Sequence, residues 1–368
     1  AANHLAFDLD VPAVLGLGGG AEAVKIAGSV LVPRGVLAIA TFTKNPLVTR
    51  LPQPSGPRLV WRTTYDGDQA ATASARILHE TLEPKDAART RATRVVLARS
   101  DDAVGASFGE AFFRSLQFNG KPAVDNGSAY REVTFAPRDP SDEELRALVR
   151  TIADHEPTHM VLAGAESVTV PLVRALEAAW PRGGARPVYV AASDSTESFA
   201  PLLGTSAERR HRFFAVQSVS NSLVNARFVV RYNQAHPKAP VTRQINPSAE
   251  YDAVYLLAYA AFALGDAPVT GASLAKAFER LLPPGNPIEV GPTDLPAAVA
   301  QLTAGKKLDL IGAETALDLS PATGEGPADF ALLCPAIDRR GRASGEDVES
   351  GVLYRAATRT VEGVPECP

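Results

Sequence analysis

Three short stretches place reactive residue types at spacings that chemistry uses. His155-Glu156-Pro157-Thr158-His159 has the H-E-x-x-H order. A zinc site of that kind needs both histidines one turn apart on a continuous helix, so that both imidazoles face one metal. Pro157 removes a backbone donor and crowds the preceding turn, and the apolar run 160–162 reads as a strand. The stretch is expected to be a helix end and a loop, with no metal bound. Gly105-Ala106-Ser107-Phe108-Gly109 has the G-x-S-x-G order. A nucleophile elbow requires a strand running straight into the first glycine, whereas residues 100–103 intervene here. Ser107 is expected at the N-cap or first turn of the next helix, and no catalytic residue is assigned.

Gly16-Leu17-Gly18-Gly19-Gly20-Ala21 follows a strand-like run, opens a helix-like one and satisfies G-x-G-x-x-A. Dinucleotide binding also wants a carboxylate about 20 positions on, at the end of the second strand, for the ribose. Residues 39–44, Ile-Ala-Thr-Phe-Thr-Lys, supply none, although Lys44 would suit a 2′-phosphate. The underlying physics is broader than a cofactor. Free N–H groups at a helix start favour any anion, and glycine lets it come close.

These stretches need elements to position them. Apolar runs at 11–15, 36–40, 59–63, 94–98, 129–135, 160–163, 187–191, 213–218, 316–319 and 330–333 read as strands. Amphipathic segments at 22–32, 69–82, 108–118, 170–179, 226–236 and 251–264 read as helices. Asp66 and Asp68 read as caps for the helix near 69. Pro140-Ser141-Asp142-Glu143-Glu144 is a helix start, with Ser141 as N-cap and Glu144 in the capping-box position. Strands alternating with helices of this length make parallel βαβ units, and 368 residues suit two domains better than one. The fold class is α/β, with parallel sheets flanked by helices.

Composition excludes other classes. No run of eighteen apolar residues is present. The formal net charge is -4, with no basic block for nucleic acid. Residues 1–4, Ala-Ala-Asn-His, open directly into folded-looking sequence, so the chain reads as processed or truncated. The two cysteines, Cys334 and Cys367, either are incidental free thiols or form one disulfide stapling the tail in an oxidising compartment. The disulfide is expected.

Several segments resemble one family. Val11-Pro12-Ala13-Val14-Leu15-Gly16 is similar to a strand and glycine-serine turn of the periplasmic binding proteins of the branched-chain amino-acid type, the substrate-binding subunits of ABC importers. Residues 36–49, Arg58-Leu59-Val60-Trp61-Arg62-Thr63-Thr64 and the order of elements from 94 to 203 fit the same family. Tyr251-Asp252-Ala253-Val254-Tyr255 is the most specific match. The resemblance implies two Rossmann-like lobes joined by crossover strands. It places residues 1–90 and 216–315 in the first lobe, 91–215 and 316–340 in the second, and 341–368 in a C-terminal tail, with residues 85–93 crossing between lobes. The resemblance implies a further strand and helix of the first lobe ahead of residue 11, and these are expected to be missing from this chain.

The resemblance also implies a function: binding a small polar solute, an amino acid or related carboxylate, outside the cytoplasm for an ABC permease in the membrane. It implies no catalysis and no cofactor. A periplasmic or extracellular location follows, compatible with a lipid anchor before processing. The family's turn serine, which holds the ligand carboxylate, falls at Gly19 or Gly20, beside Ala21. A backbone contact falls at Phe42 and a threonine contact at Lys44. The acid that meets an amino group falls at Ser193-Asp194, and an aromatic wall at Tyr251. A second tyrosine wall appears here as Val104, so leucine-like specificity does not carry over. Two other readings stay open: a ligand-sensing ectodomain of the same architecture, and an NADP-dependent enzyme using the Gly16-Gly18-Ala21 turn.

Overall fold

The computed structural model describes residues 1–368 except 54, 84–91, 181–183, 193–194 and 245. The expected crossover at 85–93 therefore lies mostly outside the described residues. The chain forms two compact units. Unit 1 is Ala1–Asp66 with Val219–Ala328, and unit 2 is Gly67–Ser218 with Asp329–Pro368.

Unit 1 opens with β1 (Ala13–Leu15), α1 (Gly20–Ile26), β2 (Leu37–Ala40) and β3 (Val60–Arg62). The strands form a parallel sheet in the order β1-β2-β3. β2 is buried on both faces, which is why Leu37-Ala38-Ile39-Ala40 is apolar without alternation. Its side chains nevertheless sort by parity. Ala38 and Ala40 pack with Ala23, Ala27 and Leu31. Leu37 and Ile39 face the opposite core, with Leu256, Tyr259 and Phe278. That period of two is the strand's own geometry.

Unit 2 begins with α2 (Gly67–Ile77), β4 (Val95–Ser100) and α3 (Ala103–Ser115). A short hairpin, β5 (Gln117–Phe118) and β6 (Lys121–Pro122), leads to β7 (Tyr130–Phe135). Then come α4 (Asp142–His155), β8 (His159–Ala163), α5 (Glu166–Ala179) and β9 (Val188–Ala192). Two short helices, α6 (Ala200–Leu203) and α7 (Ala207–Arg210), precede β10 (Phe213–Ser218).

The chain returns to unit 1 as α8 (Leu223–Ala235), α9 (Ser248–Ala263), α10 (Gly271–Ala277), β11 (Asn286–Glu289), α11 (Leu295–Thr303) and β12 (Leu308–Ile311). β11 and β12 pair in parallel. Unit 2 is completed by β13 (Phe330–Ile337), β14 (Ala343–Arg355) and β15 (Thr360–Glu362). Its sheet runs β15-β14-β13-β10-β9-β8-β4-β7. β7, β4, β8, β9 and β10 are parallel, and the last three strands run antiparallel to their neighbours.

The expected α/β class, with parallel strands and flanking helices, is the one observed. The boundaries differ. α2 falls in unit 2, where Ser107 Oγ on α3 donates to both oxygens of Asp68 at 2.8 and 3.0 Å. Residues 316–328 stay in unit 1, and 316–319 form no strand. Residues 341–368 are not a separate tail, because β14 and β15 extend the sheet. The helix expected at 108–118 starts at Ala103, because Asp102 accepts from the Gly105 N–H at 2.8 Å and caps it. The expected capping box is present: Ser141 accepts from Glu144 N–H, and the Glu144 carboxylate accepts from Ser141 N–H.

Cys334 of β13 and Cys367 form a disulfide, with Cα atoms 5.7 Å apart. Glu366 N–H also bonds Ser350 O at 2.8 Å, so the tail is held on β14. Closing a loop of this length contributes about 3–4 kcal/mol in the chain-entropy model. Unfolded, unreduced protein should show no free thiol. The Cys334→Ala/Cys367→Ala variant should lose up to that much stability in denaturant titrations; an unchanged midpoint would refute the staple.

Candidate functional site

Parallel strands bring their C-terminal ends to one edge of a sheet, where α/β proteins place ligands. In unit 1 that edge carries three loops, following β1, β2 and β3. Gly16 N–H donates to Ile39 O at 3.2 Å, and Thr63 N–H donates to Ala40 O at 3.1 Å, so the loops start level with one another.

The first loop is the glycine turn. Gly16 and Gly20 have φ of 79° and 63°, the left-handed region that glycine tolerates. Gly18 and Gly19 do not, and a Cβ on either would meet nothing within 4 Å. Their lack of side chains answers no packing demand and leaves the backbone bare. Gly19 is the N-cap of α1 and supplies no side-chain cap, so the first N–H groups of the helix are not satisfied by it.

The second loop is held by a buried charge. Arg62, the last residue of β3, has no exposed side-chain surface. Its guanidinium donates to Thr43 O, to Asn45 O at 2.6 Å and, through Nε, to Glu325 at 3.2 Å. Asn45 Nδ2 in turn donates to Gly20 O at 3.1 Å, and Asn45 Oδ1 accepts from Leu47 N–H at 3.0 Å. One chain of hydrogen bonds thus runs from β3 through the β2 loop to the glycine turn. It presents Phe42, which is 69% exposed, and Lys44, whose ammonium lies 5.0 Å from the centre of the Tyr65 ring. Thr41 is buried beside Gly16, and its hydroxyl has no hydrogen-bond partner among the described residues.

A fourth loop joins this edge. Thr63 Oγ1 donates to Ala249 O at 2.8 Å and fixes the start of α9. Asp252, in the next turn, is fully buried and accepts from Ala313 N–H at 2.7 Å and Glu314 N–H at 2.8 Å. Gly312 is forced to be glycine, since a Cβ would lie 2.4 Å from the Asp252 carboxylate. Glu314 accepts from Ser248 Oγ. Burial pushes its carboxyl above the usual range, Ser248 and the Lys44 charge pull it down, and Glu250 pushes it up.

The structure thus brings Gly19, Gly20, Ala21, Phe42 and Lys44 to one edge. Tyr251 is differently engaged. Its ring packs between Phe228 and Tyr255, with centroids 4.8 and 4.9 Å away, and its hydroxyl points at Gly291. It is part of an aromatic row. Ser193 and Asp194 lie outside the described residues. Sequence reasoning assigned no role to Arg62, Asn45, Thr41 or Glu314. The one available signal was Arg62, a charge inside the apolar strand Val60-Trp61-Arg62.

The other two motifs resolve into structure. α4 ends at His155, Glu156 takes a left-handed conformation (φ 48°), and His159 opens β8. The continuous helix of a zincin is therefore not formed. Burial, with the Arg94 and Arg131 cations, holds His155 below its ordinary value. Gly105 and Gly109 are packing glycines, whose Cβ atoms would meet Ser100 O at 2.1 Å and Arg99 Nε at 2.7 Å. Ser107 lies within α3 and its hydroxyl is given to Asp68. Among the described residues there is no group of three or more metal-ligating side chains. A cavity of about 620 Å³ opens in unit 2 between β7 and α4, but its arginine, Arg138, is bonded to Glu144 at 2.7 Å.

No protein-family model and no curated protein sequence matches the chain. Solved structures do. A leucine-binding protein from Thermotoga maritima is 14% identical, with a TM-score of 0.64 over 95% of this chain and 81% of that one. A solute-binding protein of an ABC transporter from Rhodopseudomonas palustris HaA2, in complex with p-hydroxybenzoic acid, is 16% identical, with a TM-score of 0.64 over 96% and 81%. An ABC-transporter substrate-binding protein from Desulfitobacterium hafniense, in complex with leucine, is 16% identical, with a TM-score of 0.60 over 94% and 83%. The chain therefore has the type I periplasmic-binding fold, at low identity to proteins of the amino-acid and carboxylate-binding kind.

Two expectations follow for this edge. Lysine cannot reproduce the planar, multiply bonded guanidinium. Arg62→Lys should lose about 2–4 kcal/mol, read as a lower urea midpoint with unchanged slope. A wild-type midpoint would remove Arg62 from its bracing role. Burial raises Asp252 to about 8, against the pull of the backbone N–H groups. An acid raised on folding stabilises fully below its unfolded value near 4, and that contribution is lost as pH rises through about 8. Asp252→Asn should flatten the decline in stability across that window; an unaltered pH profile would refute the assignment.

Proposed function

We propose that this protein binds a small polar solute outside the cytoplasm, for delivery to an ABC permease, and that its carboxylate sits at the β1–β2 loop edge of unit 1. The observation that carries the reading is the bare Gly18-Gly19 backbone at the start of α1, set level with Lys44 by the Arg62–Asn45–Gly20 hydrogen bonds. Helix-start N–H groups and a nearby ammonium favour an anion. The unpaired Thr41 hydroxyl adds a donor or acceptor, and exposed Phe42 offers an apolar wall. The fold supports the reading, since the solved structures that share it include proteins in complex with leucine and with p-hydroxybenzoic acid. The solute is an amino acid or a related carboxylate, and Ser193 and Asp194 remain the proposed partners of an amino group. On this reading the protein is not an enzyme and needs no cofactor.

A thermal-shift series of amino acids, aromatic acids and their amides tests this directly. Charge-assisted hydrogen bonds are worth roughly 1.5–3 kcal/mol each. Lys44→Ala should therefore weaken a stabilising carboxylate about ten-fold or more, and the matching amide should bind poorly to wild-type protein. Equal affinity of acid and amide, or of variant and wild type, would sink the proposal.

A further inference from the structure

The chain carries a net charge of -4, yet arginines cluster at one end of unit 2. β9 and β10 both begin there, at Val188 and Phe213, and β13 runs antiparallel to β10, so its end at Ile337 lies at the same place. The β13–β14 turn projects beyond them. Ala343 N–H donates to Gly204 O at 2.9 Å, and Arg210 donates to the same carbonyl at 3.4 Å. The turn Asp338-Arg339-Arg340-Gly341-Arg342 is thereby set beside Arg209 and Arg210 of α7.

Among the described residues, three carboxylates at this end are committed to arginines, while Glu346 on β14 is exposed and bonded to none. Glu177 is buried and takes bonds from Arg186 at 2.8 Å and from Arg212 at 3.1 Å. Glu208 is bonded to Arg212 at 2.6 Å, and Asp338 to Arg342 at 3.0 Å. Arg339 and Arg340 are exposed, and among the described residues neither is bonded to a carboxylate; Arg210 rests on a carbonyl. The surplus of positive charge therefore stands at the tip of the hairpin. Ile337, at its base, is 40% exposed.

We propose that this end of unit 2 is a docking surface for an anionic phospholipid membrane. A hairpin turn with two exposed arginines can meet a flat surface, and an exposed isoleucine near them suits the boundary between headgroups and acyl chains. Screening confines the attraction to about 10 Å at 0.1 M salt, so the tip acts despite the acidic remainder of the chain. The surface is separate from the solute edge in unit 1, and the inference does not depend on that reading.

The test is co-sedimentation of the full chain with vesicles of phosphatidylglycerol and phosphatidylcholine, against vesicles of phosphatidylcholine alone, at 0.1 M salt. Wild-type protein should pellet with the anionic vesicles only and be released by raised salt. Each arginine near an anionic leaflet is worth roughly a five-fold gain in partition. Arg339→Ser/Arg340→Ser should therefore bind on the order of twenty-five-fold more weakly, with an unchanged melting temperature. Equal binding to neutral vesicles, or undiminished binding by the variant, would overturn the proposal. So would arginine-dependent capture by soluble polyphosphate without retention on vesicles, which would assign the surface to a soluble polyanion.

Discussion

A guanidinium with no exposed surface must find its partners inside the protein, because leaving any of its donors unmatched costs free energy. Arg62 finds three: two backbone carbonyls of the β2 loop and the carboxylate of Glu325. The consequence is positional. Loops at the ends of strands are usually the mobile part of an α/β unit, but residues 43–45 are tied to a strand that is itself buried. Asn45 then passes the constraint to the glycine turn. The edge that would meet a ligand is therefore built before any ligand arrives, which is the condition under which binding loses least entropy to ordering.

The same logic governs the other side of the edge. Asp252 is buried behind the start of α9 and receives the N–H groups of residues 313 and 314. A loop without regular structure is thereby given the backbone partners that a strand would otherwise supply. Gly312 is the steric counterpart, since no other residue fits against that carboxylate. Unit 1 thus uses one buried guanidinium and one buried carboxyl group to fix the loops on either side of its strand ends. Lys44 is the exposed charge those loops display.

Much of this was legible in the residues, and the failures have physical causes. Strands buried on both faces, such as Leu37–Ala40 and His159–Ala163, announce themselves as apolar runs, and the Ser141–Glu144 box marked a helix start to the residue. β14 went unseen because its first half alternates between half-buried and exposed, with small and acidic residues that have low strand propensity. β11 and β12 were missed because β11 opens on asparagine and proline and Asp309 interrupts β12, residue types depleted in strands. The unit boundary was misplaced because packing, not local pattern, decides which side a helix joins: α2 is amphipathic wherever it lies. At the edge, Gly19, Phe42 and Lys44 were readable by position after a strand. Thr41, Asn45 and Glu314 were not, since their meaning depends on what they face across as many as 270 residues of chain.

The glycines show how spacing and role separate. Gly105 and Gly109 satisfy a catalytic pattern, yet each is glycine because a neighbour occupies the space of its Cβ. Gly18 is part of a cofactor pattern and Gly19 follows it, and the space around both is empty. A glycine pressed against a backbone is explained by the fold. A glycine in open space with ordinary φ is not, because alanine there would cost nothing in packing and would lower the entropy of the unfolded chain. What alanine would change is how near another molecule can come to the N–H groups at the start of α1. The unfilled space, and not the G-x-G-x-x-A order, is what directs attention to that turn.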